Sequence, residues 1–300
     1  MRLSTPLLLA TTLCAHAVSA LPQWVPQIIR RDSLEPPEEK YFHEPGNDDI
    51  LGHYDTRFFK NVVSYEERTD TLLHMIRAYL NFFRENRLET WIAHGTLLGW
   101  WWNGKMLPWD WDVDTQVNTA TLRRMANHFN QTICNYTSED IPDQRQYLLD
   151  VNPHARRRDR GQGQNIIDAR WIDMRNGLYI DITGVSEINP ETEPGILQCK
   201  NFHKYKVSDL YPMRESMYEG VPAKIPYNYD EILFKEYGHS ALVVQDFEDH
   251  NWIQELKLWV PDQKRIAETA KLTPEEKKKK QDQERMKREN EIKRNSKRWS

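Results

Sequence analysis

The chain has 300 residues, 39% of them apolar, a net charge of −4 and only three cysteines. That is enough apolar sequence for one large domain with its own core and too few cysteines for a disulfide-built scaffold. Beyond the first twenty residues no stretch is apolar enough for long enough to span a bilayer.

Met1-Arg2-Leu3, an apolar stretch over residues 7–13 and the small-residue ending Val18-Ser19-Ala20 read as a secretory signal peptide over residues 1–20. An uncleaved signal anchor is the alternative. This start implies the secretory pathway, with the Golgi lumen or the exterior as destination. Cys14 leaves with such a leader. Cys134 and Cys199 then remain as an even pair in an oxidising compartment, and one disulfide between them is expected. Asn130-Gln131-Thr132 and Asn135-Tyr136-Thr137 are N-glycosylation sequons, which puts that segment at the surface.

Residues 21–60 are rich in proline and acids and read as an extended, partly ordered lead-in. Ser64-Tyr65-Glu66-Glu67 fits a capping box. Leu72, Met75, Ile76, Tyr79, Leu80 and Phe83 follow at helical spacing. A short strand over 90–93 enters the turn His94-Gly95-Thr96, and a short helix over 97–102 stops at Asn103-Gly104. Pro108 then introduces Asp110, Asp112 and Asp114, read as one strand. Asn118 suits the cap of a helix carrying Leu122, Met125, Ala126 and Phe129.

A strand over 147–151 is followed by a loop holding Arg156, Arg157, Arg158 and Arg160. Strands over 165–174 and 177–183 are joined by Arg175-Asn176, with Asn176-Gly177 as a tight-turn signal. Residues 207–237 form a compact cap. From Pro274 to Ser300 there are eleven Lys and Arg against six Asp and Glu. This tail, +5 against −9 for the rest, reads as a solvated helix or a disordered segment. A basic patch can mark nucleic-acid binding, but the secretory start argues against it.

Chemistry concentrates in the acidic run. Alternation along a strand points Asp110, Asp112 and Asp114 to one face. Three acids on one face repel, and a hard divalent cation, Mg²⁺ or Mn²⁺, is the simplest relief. Gly95 lets a phosphate approach the backbone and Thr96 adds a hydroxyl. Lys105 can neutralise phosphate charge. His94 can meet phosphate or shuttle a proton, or simply bond to backbone. Of Trp100, Trp101, Trp102, Trp109 and Trp111, some can stack on sugar or base and most belong to the core.

His94-Gly95-Thr96-Leu97-Leu98-Gly99-Trp100, then Leu107-Pro108-Trp109-Asp110 with Asp112 and Asp114, resembles the LicD/fukutin family of phosphotransferases. Tyr179-Ile180-Asp181-Ile182-Thr183 resembles its second acidic strand. The stretch from Tyr218-Glu219-Gly220 to Glu236-Tyr237-Gly238 resembles its C-terminal signature. Residues 165–173 and the charged tail are most similar to the fungal branch associated with mannosylphosphate transfer. Trp111 departs from the family pattern, where many members carry an acid.

The resemblance implies an α/β (α+β), nucleotidyltransferase-like mixed sheet with packed helices over residues 61–262, followed by a charged tail from 263. It implies a nucleotide-activated sugar donor, GDP-mannose with GMP leaving, and a glycan or glycoprotein acceptor. Asp112, Asp114 and Asp181 become the catalytic and metal-binding acids, Asp110 an additional ligand, and Asp173 the reserve. Asp168 is expected to pair with Arg170. Two cations about 4 Å apart would then stabilise attacking and leaving oxygens. Competing readings are a non-catalytic luminal regulator bound to a partner transferase, a sugar transferase with an Asp-x-Asp motif, and a Trp-rich carbohydrate-binding module.

Overall fold

The structure is a computed structural model. It describes residues 38–273 together with 275, 276, 278–280, 282, 283, 286 and 290. The expected leader, Cys14 and most of the basic tail lie outside the described residues. Among the described residues no helix is long and apolar enough to cross a membrane.

α1 (Tyr65–Glu85) starts where Ser64 accepts a hydrogen bond from the Glu67 amide at 3.2 Å, the N-cap interaction that supplies one of the helix's unpaired amides with an acceptor. Its apolar stripe of Leu72, Met75, Ile76, Tyr79, Leu80 and Phe83 is buried. Each such side chain gains about 1.5–3 kcal/mol by leaving water. β1 (Thr90–Ile92) and α2 (His94–Asn103) follow, and α2 ends at Gly104 in the left-handed region at φ 73°, a conformation that costs glycine little. β2 (Val113–Asn118) runs into α3 (Thr119–Arg124), capped by the Asn118 side chain on the Thr121 amide at 2.8 Å. A π-helical turn over Met125–Phe129 completes that helix.

β3 (Thr132–Tyr136), β4 (Arg145–Val151), β5 (Ala169–Asp173) and β6 (Tyr179–Glu187) complete the main sheet. Its order is β1-β2-β6-β5-β4-β3. β2 and β6 run parallel and the other neighbours antiparallel, so the expected mixed sheet is present. β7 (Ile196–Gln198) extends the end of β6, and β8 (Lys204–Lys206) pairs with β7. Then come α4 (Val207–Leu210), the hairpin β9 (Arg214–Tyr218) and β10 (Val221–Ile225), and α5 (Tyr229–Tyr237). α6 (Ser240–Val243), a three-stranded sheet of β11 (Asp246–Phe247), β12 (His250–Ile253) and β13 (Leu258–Pro261), and α7 (Gln263–Thr269) close the described fold.

The two faces of the main sheet are covered differently. α1 lies on one face: Tyr79 and Phe82 pack on Trp171 with ring centroids 5.9 and 5.2 Å away, and Tyr147 stacks on Trp171 at 5.7 Å. The Tyr79 hydroxyl also meets Thr90 and Thr115 at 2.7 and 2.9 Å. On the other face, register places Asp114, Asp181, Arg170 and Asp150 in one row across β2, β6, β5 and β4.

Residues 38–60 roof that charged row. Tyr41 donates to Asp150 at 2.9 Å, Arg57 donates to Asp150 at 2.6 Å, and Glu44 accepts from Arg170 at 2.6 Å. From Glu38 onward the lead-in is therefore part of the same compact unit. Sheet faces must bury their charges against partners, and this segment supplies them.

The disulfide expectation is corrected. Cys134 and Cys199 are both free thiols. Cys134 sits on β3 at the sheet's far edge, while buried Cys199 follows β7 and contacts the His203 ring at 3.3 Å. The whole width from β3 to β6 separates their strands, too far for a bond needing Cα atoms within about 7 Å. Asn130 and Asn135 are exposed, as sequon residues require, and their side-chain oxygens accept from the Val151 amide and Gln146.

Candidate active site

The acidic run is not one strand. β2 begins at Val113, so Asp110 and Asp112 lie in the loop that Pro108 and Trp109 turn into it. The Asp110 amide donates to Leu107 at 3.0 Å, which fixes that turn and breaks the alternation expected from spacing. The loop nonetheless brings the carboxylates together. Asp110 and Asp112 hydrogen-bond each other, and Asp114 feels both Asp112 and Asp181. Asp181 is the register partner of Asp114 on the parallel neighbour.

His94-Gly95-Thr96 is the first turn of α2 rather than a separate turn. His94 enters it at φ 51°. Thr96 accepts from the Asp114 amide at 2.9 Å and the Ala93 amide donates to the Asp114 carbonyl at 3.1 Å, so the helix start is tied to the acidic strand. Gly95 faces a carboxylate: a Cβ there would stand 2.9 Å from Asp110 Oδ2. Its smallness admits the acid, not only a ligand.

Burial, then repulsion from Asp112 and Asp181, lifts the Asp114 carboxyl to about 8 against the pull of His94. Asp110 is pushed well above the usual carboxylate range by burial and by Asp112, with buried Arg68 opposing. Burial also raises Asp181, and Arg170 offsets part of that. His94 goes the other way. Burial disfavours its charged form, but the hydrogen bond and charge of Glu236, 2.9 Å away, together with Asp114 and Asp112, raise it to about 9. At neutral pH it is an imidazolium.

Among the described residues no group of three or more His, Cys, Asp or Glu side chains is set to close around a metal ion. Asp181 is held by Arg170 at 3.0 Å and Asp112 turns toward His53 at 3.9 Å. The donor chemistry still suits a hard cation: all-carboxylate oxygens, crowded enough that their mutual repulsion disfavours ionisation. Asp110, Asp112 and Asp114 line one cavity and supply those oxygens.

Two cavities meet at Asp114 and Tyr237, which line both. One, of about 470 Å³, runs from Asp110, Asp112 and Asp114 to Trp102, Trp109, Phe247 and Trp259. The other, of about 580 Å³, holds His94, His203, Lys204, Lys235 and Glu236. Of the tryptophans, Trp102 and Trp109 pack on Trp259 at 4.8 and 5.0 Å, so they both build the core and wall a cavity. Trp111 lies under the Arg68 guanidinium at 4.3 Å.

Other expected residues fall elsewhere. Lys105 is exposed beyond α2, lines neither cavity, and acts on Glu219 through its charge. Asp168 pairs with Arg158 and Lys200 at 2.7 and 3.0 Å, not with Arg170. Asp173 pairs with Arg175 at 2.8 Å beside the β5–β6 turn. In the arginine-rich loop, Arg156 reaches Asn127, Arg157 reaches Asp159 and Arg160 reaches Asn201. Glu236, His203, Lys204 and Lys235 had no assigned role in the sequence. Only the Glu236-Tyr237-Gly238 stretch offered a signal.

Residues 87–228 match the family described as LicD/FKTN/FKRP, nucleotidyltransferase domain. This segment, which carries the mixed sheet and the acids at the β2–β6 seam, is similar to the LicD-family domain over just under half of the chain. Two similar proteins are known from Saccharomyces cerevisiae (strain ATCC 204508 / S288c). Mannosyltransferase regulator 4 is 37% identical over 160 residues, covering 50% of this chain and 13% of its own length. Mannosyltransferase regulator 14 is 36% identical over 163 residues, covering 50% of this chain and 17% of its own length. The chain thus spans under a fifth of either relative.

Proposed function

We propose that this chain is a metal-dependent phosphotransferase of the secretory lumen, moving mannose 1-phosphate from GDP-mannose to a glycan hydroxyl. The observation that carries the reading is the meeting of a cavity lined by His94, Lys204 and Lys235 with an aromatic one at the acids of a LicD-like segment. The names of the two yeast relatives support a mannosyl-related role.

In this reading the cavity with the basic side chains binds the donor phosphates. His94, kept protonated by Glu236, and Lys204 and Lys235 neutralise their charge. A Mg²⁺ or Mn²⁺ held by Asp110, Asp112 and Asp114 would polarise the transferring phosphoryl group. The acceptor oxygen bonds to the phosphorus bearing mannose, and that phosphorus loses its bond to the bridging oxygen. GMP departs, and a carboxylate of the cluster takes the acceptor's proton.

A second reading is supported by the names of both relatives, which are regulators. The chain would then bind donor or glycan for a partner transferase without turnover. Incubating the purified chain with Mn²⁺, an α-mannoside and GDP-mannose separates them. Released GMP supports phosphodiester transfer, GDP means glycosyl transfer, and neither nucleotide leaves the regulator.

A further inference from the structure

The two cavities beside Asp114 differ in their basic side chains. The aromatic one has no Lys, Arg or His in its lining and carries Asp110, Asp112, Asp114, Asp246 and Glu248. Without a cation on those acids, an anion entering there would meet only like charge. The other gathers His94, His203, Lys204 and Lys235 beside Asp114, Asp209 and Glu236, and has no tryptophan. Of the two, only this second cavity offers basic side chains to an anionic donor.

What fits the aromatic side is a molecule with an apolar face and many hydroxyls. Indole faces offer flat apolar area, and carboxylate oxygens accept strongly from hydroxyl donors. Its volume, about 470 Å³, lies in the range of about 300–1,000 Å³ typical of ligand sites. Phe247 and Trp259 stand on β11 and β13, and Ser240 and Val244 on and just after α6. All lie beyond residue 228, outside the matched family segment.

We propose that this cavity is the acceptor subsite and takes a neutral hexopyranoside, whose ring packs on Trp109 and whose reacting hydroxyl reaches the carboxylates. The assignment of the sugar as acceptor rests on the transfer reading above. The C-terminal sheet then selects the acceptor, while the LicD segment supplies the chemistry.

The test titrates methyl α-mannopyranoside and α-mannobiose into the full chain, without donor or divalent cation, and follows the tryptophan indole N–H signals by NMR. Trp109→Phe and Trp259→Phe assign the signals. Saturable shifts of those two indoles are expected. Val244→Asp, at an exposed position on the cavity wall, should weaken binding at least tenfold with melting unchanged. Phe247→Ala should do the same. No sugar-dependent shift of these signals, or saturation of the same signals by GMP or inorganic phosphate, overturns the proposal. Sugar binding without nucleotide release from any donor would instead overturn the transfer reading, and with it the acceptor role. Transfer whose acceptor KM ignores both substitutions would overturn the subsite and leave transfer standing.

Discussion

Arg170 donates from Nε to Asp181 Oδ1 at 3.0 Å, and the same guanidinium donates to Glu44 at 2.6 Å. A β6 acid and the lead-in therefore share one buried cation. The guanidinium also lies over Tyr179 and Phe42, 3.6 and 4.7 Å from their ring centroids. Replacing it with glutamine leaves Asp181 and Glu44 facing each other. Breaking a buried pair costs about 3–5 kcal/mol, so Arg170→Gln should unfold in urea with a loss of that order. Glu44→Gln should cost less, because Arg170 keeps Asp181. Equal stability of Arg170→Gln and wild type would contradict this account.

Asp114→Asn tests the crowding of the acids. The Asp114 carboxyl is raised to about 8, so ionising it disfavours the fold as pH rises from about 4 through about 8. Without divalent cation the asparagine variant should melt higher than wild type at pH 8. Mn²⁺ should raise the wild-type Tm and leave the variant's nearly unchanged. Differential scanning fluorimetry with and without EDTA reads both.

Glu236 sets the charge of His94. A histidine raised to about 9 contributes stability that is fully present below its unfolded value of about 6.5 and is lost as pH rises through about 9. Glu236→Gln should return His94 toward its ordinary range, visible in the imidazole proton shifts. The alkaline limb of nucleotide release should move to lower pH with it. An unmoved limb would remove His94 from the chemistry.

Gly99 is a packing requirement rather than a chemical one. A Cβ there would stand 2.4 Å from the Lys105 carbonyl oxygen, which is backbone. Gly99→Ala should cost about 1–3 kcal/mol, the usual penalty for overpacking. Gly95→Ala meets only the Asp110 carboxylate end at 2.9 Å. It should fold normally yet lose activity as that acid is displaced.

The free thiols give a simple control. Cys134→Ala should change stability by under about 1 kcal/mol, whereas loss of a native disulfide typically costs about 2–5 kcal/mol. A drop of the larger size would restore the bridge.

Local signals in the sequence were reliable where one contact decides the structure. Ser64 and Asn118 cap the helices they precede, and Asn176-Gly177 turns β5 into β6 with Gly177 at φ 88°. The acidic run misled because alternation holds only inside a strand, and the turn at Pro108 postpones β2 to Val113. Asp168 found Arg158 and Lys200, in the loops before β5 and after β7, instead of its near neighbour Arg170, which is engaged by Asp181 and Glu44. The Glu236–His94 contact and the roof over the charged row join segments distant in the chain. No periodicity announces such contacts.

Among the described residues the seam between β2 and β6 is the one parallel pairing in the main sheet, and it sets Asp114 against Asp181. Parallel neighbours cannot be joined by a tight hairpin, so β3, β4 and β5 all lie in the intervening chain. Closing so long a loop is entropically slow, and contacts of this kind delay folding. A ribosome must therefore deliver β6 before the two acids can meet. Until then the nascent domain carries only half of the acidic seam, and a chain truncated before Asp181 would never assemble it.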